Sequence, residues 1–246
     1  MKKGAKKMLQ VVGIVALVII GLIAVWLVVA AISPAVPKDY QKQVKTGGEV
    51  EAKYLQNGEY TAAFFEVGML QNFKKYNFWY PSEIADSRQK FPVVIFANGT
   101  GVPSSKHPAI FEHWATYGII TVGTEEDFSW NGFGAEMSLN MLKKLHENKE
   151  VEGFEQNPFY GKVDFDNVAI VGHSQGGVGV FSSITKAENP YKTAIALSPT
   201  NEKLAKDLYW EYDASKVNIP TLLISGTGPG DENLVINLEQ LKGLYG

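Results

Sequence analysis

The hydrophobic pattern divides the chain near residue 32. Leu9–Ile32 is uncharged and almost wholly apolar. As a helix rising 1.5 Å per residue it would span about 36 Å, more than the ~30 Å hydrocarbon core of a bilayer. Beyond it, short apolar runs alternate with stretches of helical periodicity. Tyr60–Val67 and Tyr76–Tyr80 are rich in aromatic and β-branched residues and bounded by Asn, Gly and Pro, which predicts early antiparallel strands. Phe91–Ala97, Ile119–Gly123, Val168–Val171, Ala194–Leu197 and Pro220–Ser225 read as buried strands. Helices are expected at Pro108–Tyr117, Gly134–Asn148, the segment after Ser174, Glu202–Trp210 and Glu232–Leu244. Strands alternating with helices predict an α/β fold: a mostly parallel sheet with helices on both faces, preceded by an N-terminal transmembrane helix.

Charge sharpens the reading of the N-terminus. Lys2, Lys3, Lys6 and Lys7 precede the apolar run, and no acid lies within residues 1–32. A cleaved signal peptide shares the basic start, but its apolar core is only ~7–15 residues and ends at a small-x-small site. Here the run is longer, and the best cleavage candidate, Ala31-Ile32-Ser33, is followed by Pro34. The expectation is an uncleaved single-pass anchor in the cell membrane, with the lysine cluster inside and the remaining chain extracellular. Lys38, Lys42 and Lys45 on the far side weigh against that orientation. Pro34, Pro37, Gly47 and Gly48 mark a linker. The expected organisation is therefore a basic cytoplasmic tail at 1–8, an anchor at 9–32, a linker at 33–50 and an α/β domain at 51–246.

The chain has 23 basic and 26 acidic side chains; outside the first 32 residues the balance is 19 to 26. An acidic domain argues against nucleic acid as a partner. The absence of cysteine excludes disulfides, a thiol nucleophile and thiolate metal sites.

The candidate chemistry is concentrated in Val168-Ala169-Ile170-Val171-Gly172-His173-Ser174-Gln175-Gly176-Gly177. A buried strand turning sharply into a helix around G-x-S-x-G holds a serine in a strained conformation with its Oγ above the sheet. Gly172 and Gly176 flank that turn, where a Cβ would meet neighbouring backbone. The backbone N–H of Gln175 is placed to receive a developing oxyanion at a helix start. Phe128 and Trp130, in the loop after Ile119–Gly123, are candidates for an acyl pocket, with loop packing as the equal alternative. The acids Glu125, Glu126 and Asp127 in that loop lack the further oxygen-ligand spacing of a cation site, so a solvated or hydrogen-bonded loop is expected and no metal.

This stretch resembles the nucleophile elbow of the α/β-hydrolase superfamily, most closely its lipase, cutinase-like and dienelactone-hydrolase-like branches. The resemblance runs from about Phe78 onward. It implies a second oxyanion donor in the loop Asn98-Gly99-Thr100-Gly101, at Thr100, with Asn98 where relatives carry His or Pro. It implies a triad carboxylate in the Gly-rich loop after Pro220–Ser225, at Asp231, with Glu232 second. It also implies a histidine after that acid. None of the four histidines, His107, His113, His146 and His173, lies there. The expectation is a chain truncated at its C-terminus, with low turnover and a bare sheet edge at Pro220–Ser225.

The function expected is a membrane-anchored serine hydrolase acting on a carboxylic ester through an acyl-enzyme on Ser174, with no cofactor. Its partners would be a small-molecule ester or lipid-like substrate, and the membrane through residues 9–32. The alternatives are a non-catalytic, membrane-tethered binding domain of the same fold, and a hydrolase or acyltransferase working on another acyl bond.

Overall fold

A computed structural model describes residues 3–37, 39–43, 45, 47–68, 74–152 and 154–245. The chain divides into two units, residues 1–35 and 36–246. The first is a single helix, α1 (Lys3–Ile32). Its segment Gln10–Ile32 is long and apolar enough to cross a membrane, and none of it is buried within the protein. Leu, Ile and Val exposed all round a helix are stable in hydrocarbon and not in water.

The second unit opens with two short helices, α2 (Tyr40–Gln43) and α3 (Glu49–Leu55), where the sequence suggested a plain linker through Val50. The strands are β1 (Ala62–Gly68), β2 (Lys75–Pro81), β3 (Phe91–Ala97), β4 (Ile120–Thr124), β5 (Val163–His173), β6 (Thr193–Leu197) and β7 (Thr221–Ile224). They form one sheet in the order β1-β2-β4-β3-β5-β6-β7. The pairs β1–β2 and β2–β4 are antiparallel, and the remaining neighbours are parallel. The helices are α4 (Pro108–Thr116), α5 (Phe133–Glu147), α6 (Gln175–Ile184), α7 (Glu202–Asp207) and α8 (Leu238–Gly243).

The strands are apolar on both faces because both are covered. One core joins Phe78, Ile95, Leu142, Ile170 and Phe181; the other joins Trp79, Phe96, Phe111 and Val171. α5 and α6 supply the first and α4 the second. Strand order reverses between β3 and β5: the chain runs outward from β3 to β4, then returns to lay β5 on the opposite side. That is the topological switch point, where the loops after two neighbouring parallel strands part and leave a crevice.

Three expected elements differ. β5 begins at Val163, five positions before the apolar run that marked it. α7 stops at Asp207: Tyr209 takes a left-handed φ of 61°, and the Trp210 N–H returns to the Ala205 carbonyl. The single helix expected over Glu232–Leu244 is broken. A π-helical turn at Asp231–Val235 gives way to the extended, buried Ile236, and Asn237 restarts the chain as α8. Asn237 and Gln240 form a reciprocal capping box, which satisfies two N–H groups at the new helix start. Burial of Ile236 decides the break, because a continuous helix would not deliver that side chain to the core.

Candidate active site

Ser174 joins β5 directly to α6 with φ 56° and ψ −117°. For a residue with a Cβ this conformation costs roughly 1–3 kcal/mol and persists only where the surroundings over-determine it. Here they do. The Ser174 N–H donates to Leu197 O at the end of β6 (2.9 Å), and its carbonyl accepts from Gly177 N (2.9 Å) and Thr200 N (3.2 Å). The two flanking glycines permit the turn: a Cβ on Gly172 would strike the Gly176 carbonyl, and one on Gly176 would strike the Ala97 carbonyl. The serine itself is half-buried.

Gln175 is wholly buried, and its side chain is the main tie between the elbow and its surroundings. Its Nε2 donates to Thr100 Oγ1 (2.7 Å) and to Asp127 O (3.1 Å), while its Oε1 accepts from Ser129 N (3.1 Å). The structure thus brings Thr100 and Gln175, named from the sequence for their backbone amides, into side-chain contact. Asn98 is 1% exposed. Its Nδ2 donates to Thr124 O (2.9 Å) and Glu126 O (3.1 Å), and its N–H donates to Ser129 Oγ (3.1 Å). That hydroxyl donates in turn to Glu126 Oε1 (3.1 Å). The loop after β3 is therefore fastened to the loop after β4 at its root.

The three neighbouring acids have three different fates. Glu125 accepts from Asn77, Ser105 N and Ser105 Oγ. Asp127 pairs with Lys74 at the surface. Glu126 is buried, and burial, with a smaller push from the charge of Asp127, raises its pKa to about 7. Hydrogen bonds from Ser129 and Thr124 oppose that rise. Phe128 is exposed, and Trp130 stacks on Trp210 with ring centroids 6.4 Å apart. A cavity of about 550 Å³ lies elsewhere, against α6 and β7, lined by Phe181, Val217, Leu223 and Leu244, and Ser174 is not part of its wall.

Asp231 starts the π-helical turn and folds back until its carboxylate occupies the space a Cβ on Gly226 would need. Glu232 is exposed. Burial lowers the pKa of His173, and the charge of Asp231 partly counters that. The His173 ring lies against the loop after β3, since a Cβ on Gly99 would stand 2.6 Å from its Nδ1. His107 faces it across 6.5 Å, packed on Phe96 and Phe111. Burial, and then the charge of His173, lowers the His107 pKa to about 4. The other two histidines have structural partners: His113 meets Tyr54 O, and His146 Nδ1 accepts from Val163 N. Among the described residues, no histidine is hydrogen-bonded to Ser174.

Sequence reasoning missed Glu126 and Ser129 as parts of this constellation. Residue types alone do not tell which of three consecutive acids turns inward. Gly134 was a usable signal: a Cβ there would fall on the Glu126 carboxylate, so this glycine marks where the acid enters the first turn of α5.

No protein-family model matches the chain. A stretch of 145 residues is 29% identical to chlorophyllase-1, chloroplastic, of Citrus unshiu, covering 57% of this chain and 43% of that protein. The protein of the same name from Citrus sinensis matches equally. The chain thus spans less than half the length of the curated relatives it matches.

Proposed function

We propose that this chain is a serine hydrolase of the α/β-hydrolase type, anchored by α1 in the cell membrane with its catalytic domain extracellular, and acting on a carboxylic ester. One observation carries the reading: a serine with φ 56° between β5 and α6, at the switch point of a mostly parallel sheet. A strained hydroxyl-bearing turn has no packing purpose that glycine would not serve better. In this reading Ser174 Oγ attacks the ester carbonyl. The N–H groups of Gln175 and Thr100 hold the oxyanion, the alcohol leaves, and water releases the acid from the acyl-enzyme. Asp231 orients and charge-stabilises the proton acceptor, a role for which the resemblance implies a histidine. The citrus relatives are named for chlorophyll; for this chain the substrate stays at the ester class, because a shared fold does not fix a substrate.

The rival reading is a tethered binding domain without chemistry. It is favoured by the lack of a hydrogen bond from any histidine to Ser174 among the described residues. A fluorophosphonate probe separates the two. Ser174 Oγ forms a bond to phosphorus and gives up its proton to the base or to water, as the P–F bond breaks and fluoride leaves. Covalent labelling of the full chain in detergent micelles, abolished in Ser174→Ala, supports the hydrolase. An unlabelled wild-type chain, or label retained in the variant, overturns it.

A further inference from the structure

The loop after β4 carries a buried carboxyl group, that of Glu126, which accepts a hydrogen bond from the Ser129 hydroxyl. We infer that Glu126 is a positioning residue: through Ser129 it fixes the two segments that supply the oxyanion donors, and its ionised form holds them in place. The inference rests on the hydrolase reading above and assigns within it a role to a residue outside the reacting groups.

Ser129 is the node. Its hydroxyl accepts from Asn98 N (3.1 Å), two residues before Thr100, and its N–H donates to Gln175 Oε1 (3.1 Å). The far end of the Gln175 amide donates to Thr100 Oγ1 (2.7 Å). Both segments are therefore held by one residue that is 1% exposed. The Ser129 hydroxyl has a single proton. With the Asn98 N–H already directed at its oxygen, that proton must go to an acceptor, and it goes to Glu126 Oε1 (3.1 Å). A carboxylate accepts it, and such charge-assisted bonds are the stronger kind. A neutral carboxyl group can turn its own O–H toward Ser129 instead, sending a second donor to the same oxygen and displacing the Ser129 proton.

The surroundings leave Glu126 able to switch. Thr124 at the end of β4 and Ser129 donate to it, and Gly134 in the first turn of α5 lies against it. The charges that face it are Asp127 from its own loop and the Tyr76 phenol from β2, whose pKa burial and then the Glu126 charge push up to about 12. Lys74 is engaged with Asp127 at 2.9 Å, and among the described residues no cation pairs with Glu126. With nothing to neutralise it, the carboxyl group ionises near pH 7.

The test measures fluorophosphonate labelling of Ser174 in the full chain in detergent micelles, as maximal rate and probe affinity separately, from pH 5.5 to 8.5. Glu126→Gln mimics the neutral acid. The ratio of wild-type to variant rate is expected to climb from about one below pH 6 to about tenfold above pH 8, short of the 10²–10³ lost when a donor is removed outright. Probe affinity stays constant. Ser129→Ala should label at a uniformly low rate, and adding Glu126→Gln to it should cost nothing further. A ratio independent of pH, or losses in the double variant that simply multiply, overturns the inference while the hydrolase reading stands. If Glu126→Gln does not fold, the wild-type to Ser129→Ala ratio must show the same rise with pH, and its absence is equally decisive. Failure of wild-type Ser174 to label at all overturns the hydrolase reading itself.

Discussion

Ser174 is held at φ 56° by three backbone hydrogen bonds, so the strain at that position has a removable cause. Glycine adopts positive φ without cost. Ser174→Gly is therefore expected to stabilise the protein by about 1 kcal/mol while abolishing probe labelling. Thermal unfolding of the two proteins side by side gives the answer; a lower midpoint in the variant would mean that the turn is not strained. Asn98 presents the reverse case. Its amide donates to two carbonyls at the C-terminal end of β4. Asn98→Asp replaces a double donor with an acceptor facing two acceptors, and should cost at least about 3 kcal/mol. At this scale the strained strand-to-helix turn was legible in the sequence, because strand, glycines and serine are contiguous there. The Glu126–Ser129–Asn98 chain was not, since its members come from two loops that only the sheet brings together.

The strands were legible where apolar runs are buried on both faces. β3 carries the predicted limits, while β5 runs farther toward its N-terminus, through Asp164, Asp166 and Asn167, where polar residues hide the extension. The C-terminal segment was read wrongly because apolar periodicity over Glu232–Leu244 fits a helix, whereas burial of Ile236 requires an extended break. Among the described residues, β7 is the outermost strand on its side of the sheet. Leu222 and Ile224, on one face of it, are 51% and 46% exposed. An exposed apolar edge of this kind is a template for pairing with another chain. Leu222→Lys is expected to lower concentration-dependent association of the chain. The unfolding midpoint should hold within the equivalent of about 0.5 kcal/mol, as is usual for a surface change. Sedimentation velocity over a concentration series measures the first quantity. Unchanged association would mean that the β7 edge is not where copies meet.

At the scale of the whole molecule, two buried groups set opposing demands on pH. The Glu126 pKa rises from 4.5 to about 7 on folding, because burial disfavours its charge. The native state therefore holds a proton that the unfolded chain releases, and this contribution is full below pH 4.5 and lost as pH rises through 7. The His107 pKa falls from 6.5 to about 4. Its contribution is full above pH 6.5 and lost as pH falls through 4, with His173 acting in the same direction. Each shift of this size corresponds to at most about 3 kcal/mol. Between pH 4.5 and 6.5 the Glu126 and His107 proton differences cancel and that of His173 is left over, so the unfolding midpoint of the wild-type chain should rise only gently across that window. Single substitutions unmask the parts. Glu126→Gln should leave a midpoint that climbs from pH 4.5 to 6.5 and exceeds wild type at pH 8. His107→Phe, which keeps the packing on Phe96 and Phe111, should leave one that climbs less than wild type over the same window. The Glu126 variant would then be more stable than wild type at the pH where its labelling falls furthest behind wild type. Stability and positioning place opposite requirements on the same carboxyl group, and parallel midpoint curves for wild type and Glu126→Gln would show that the group does not titrate in this window.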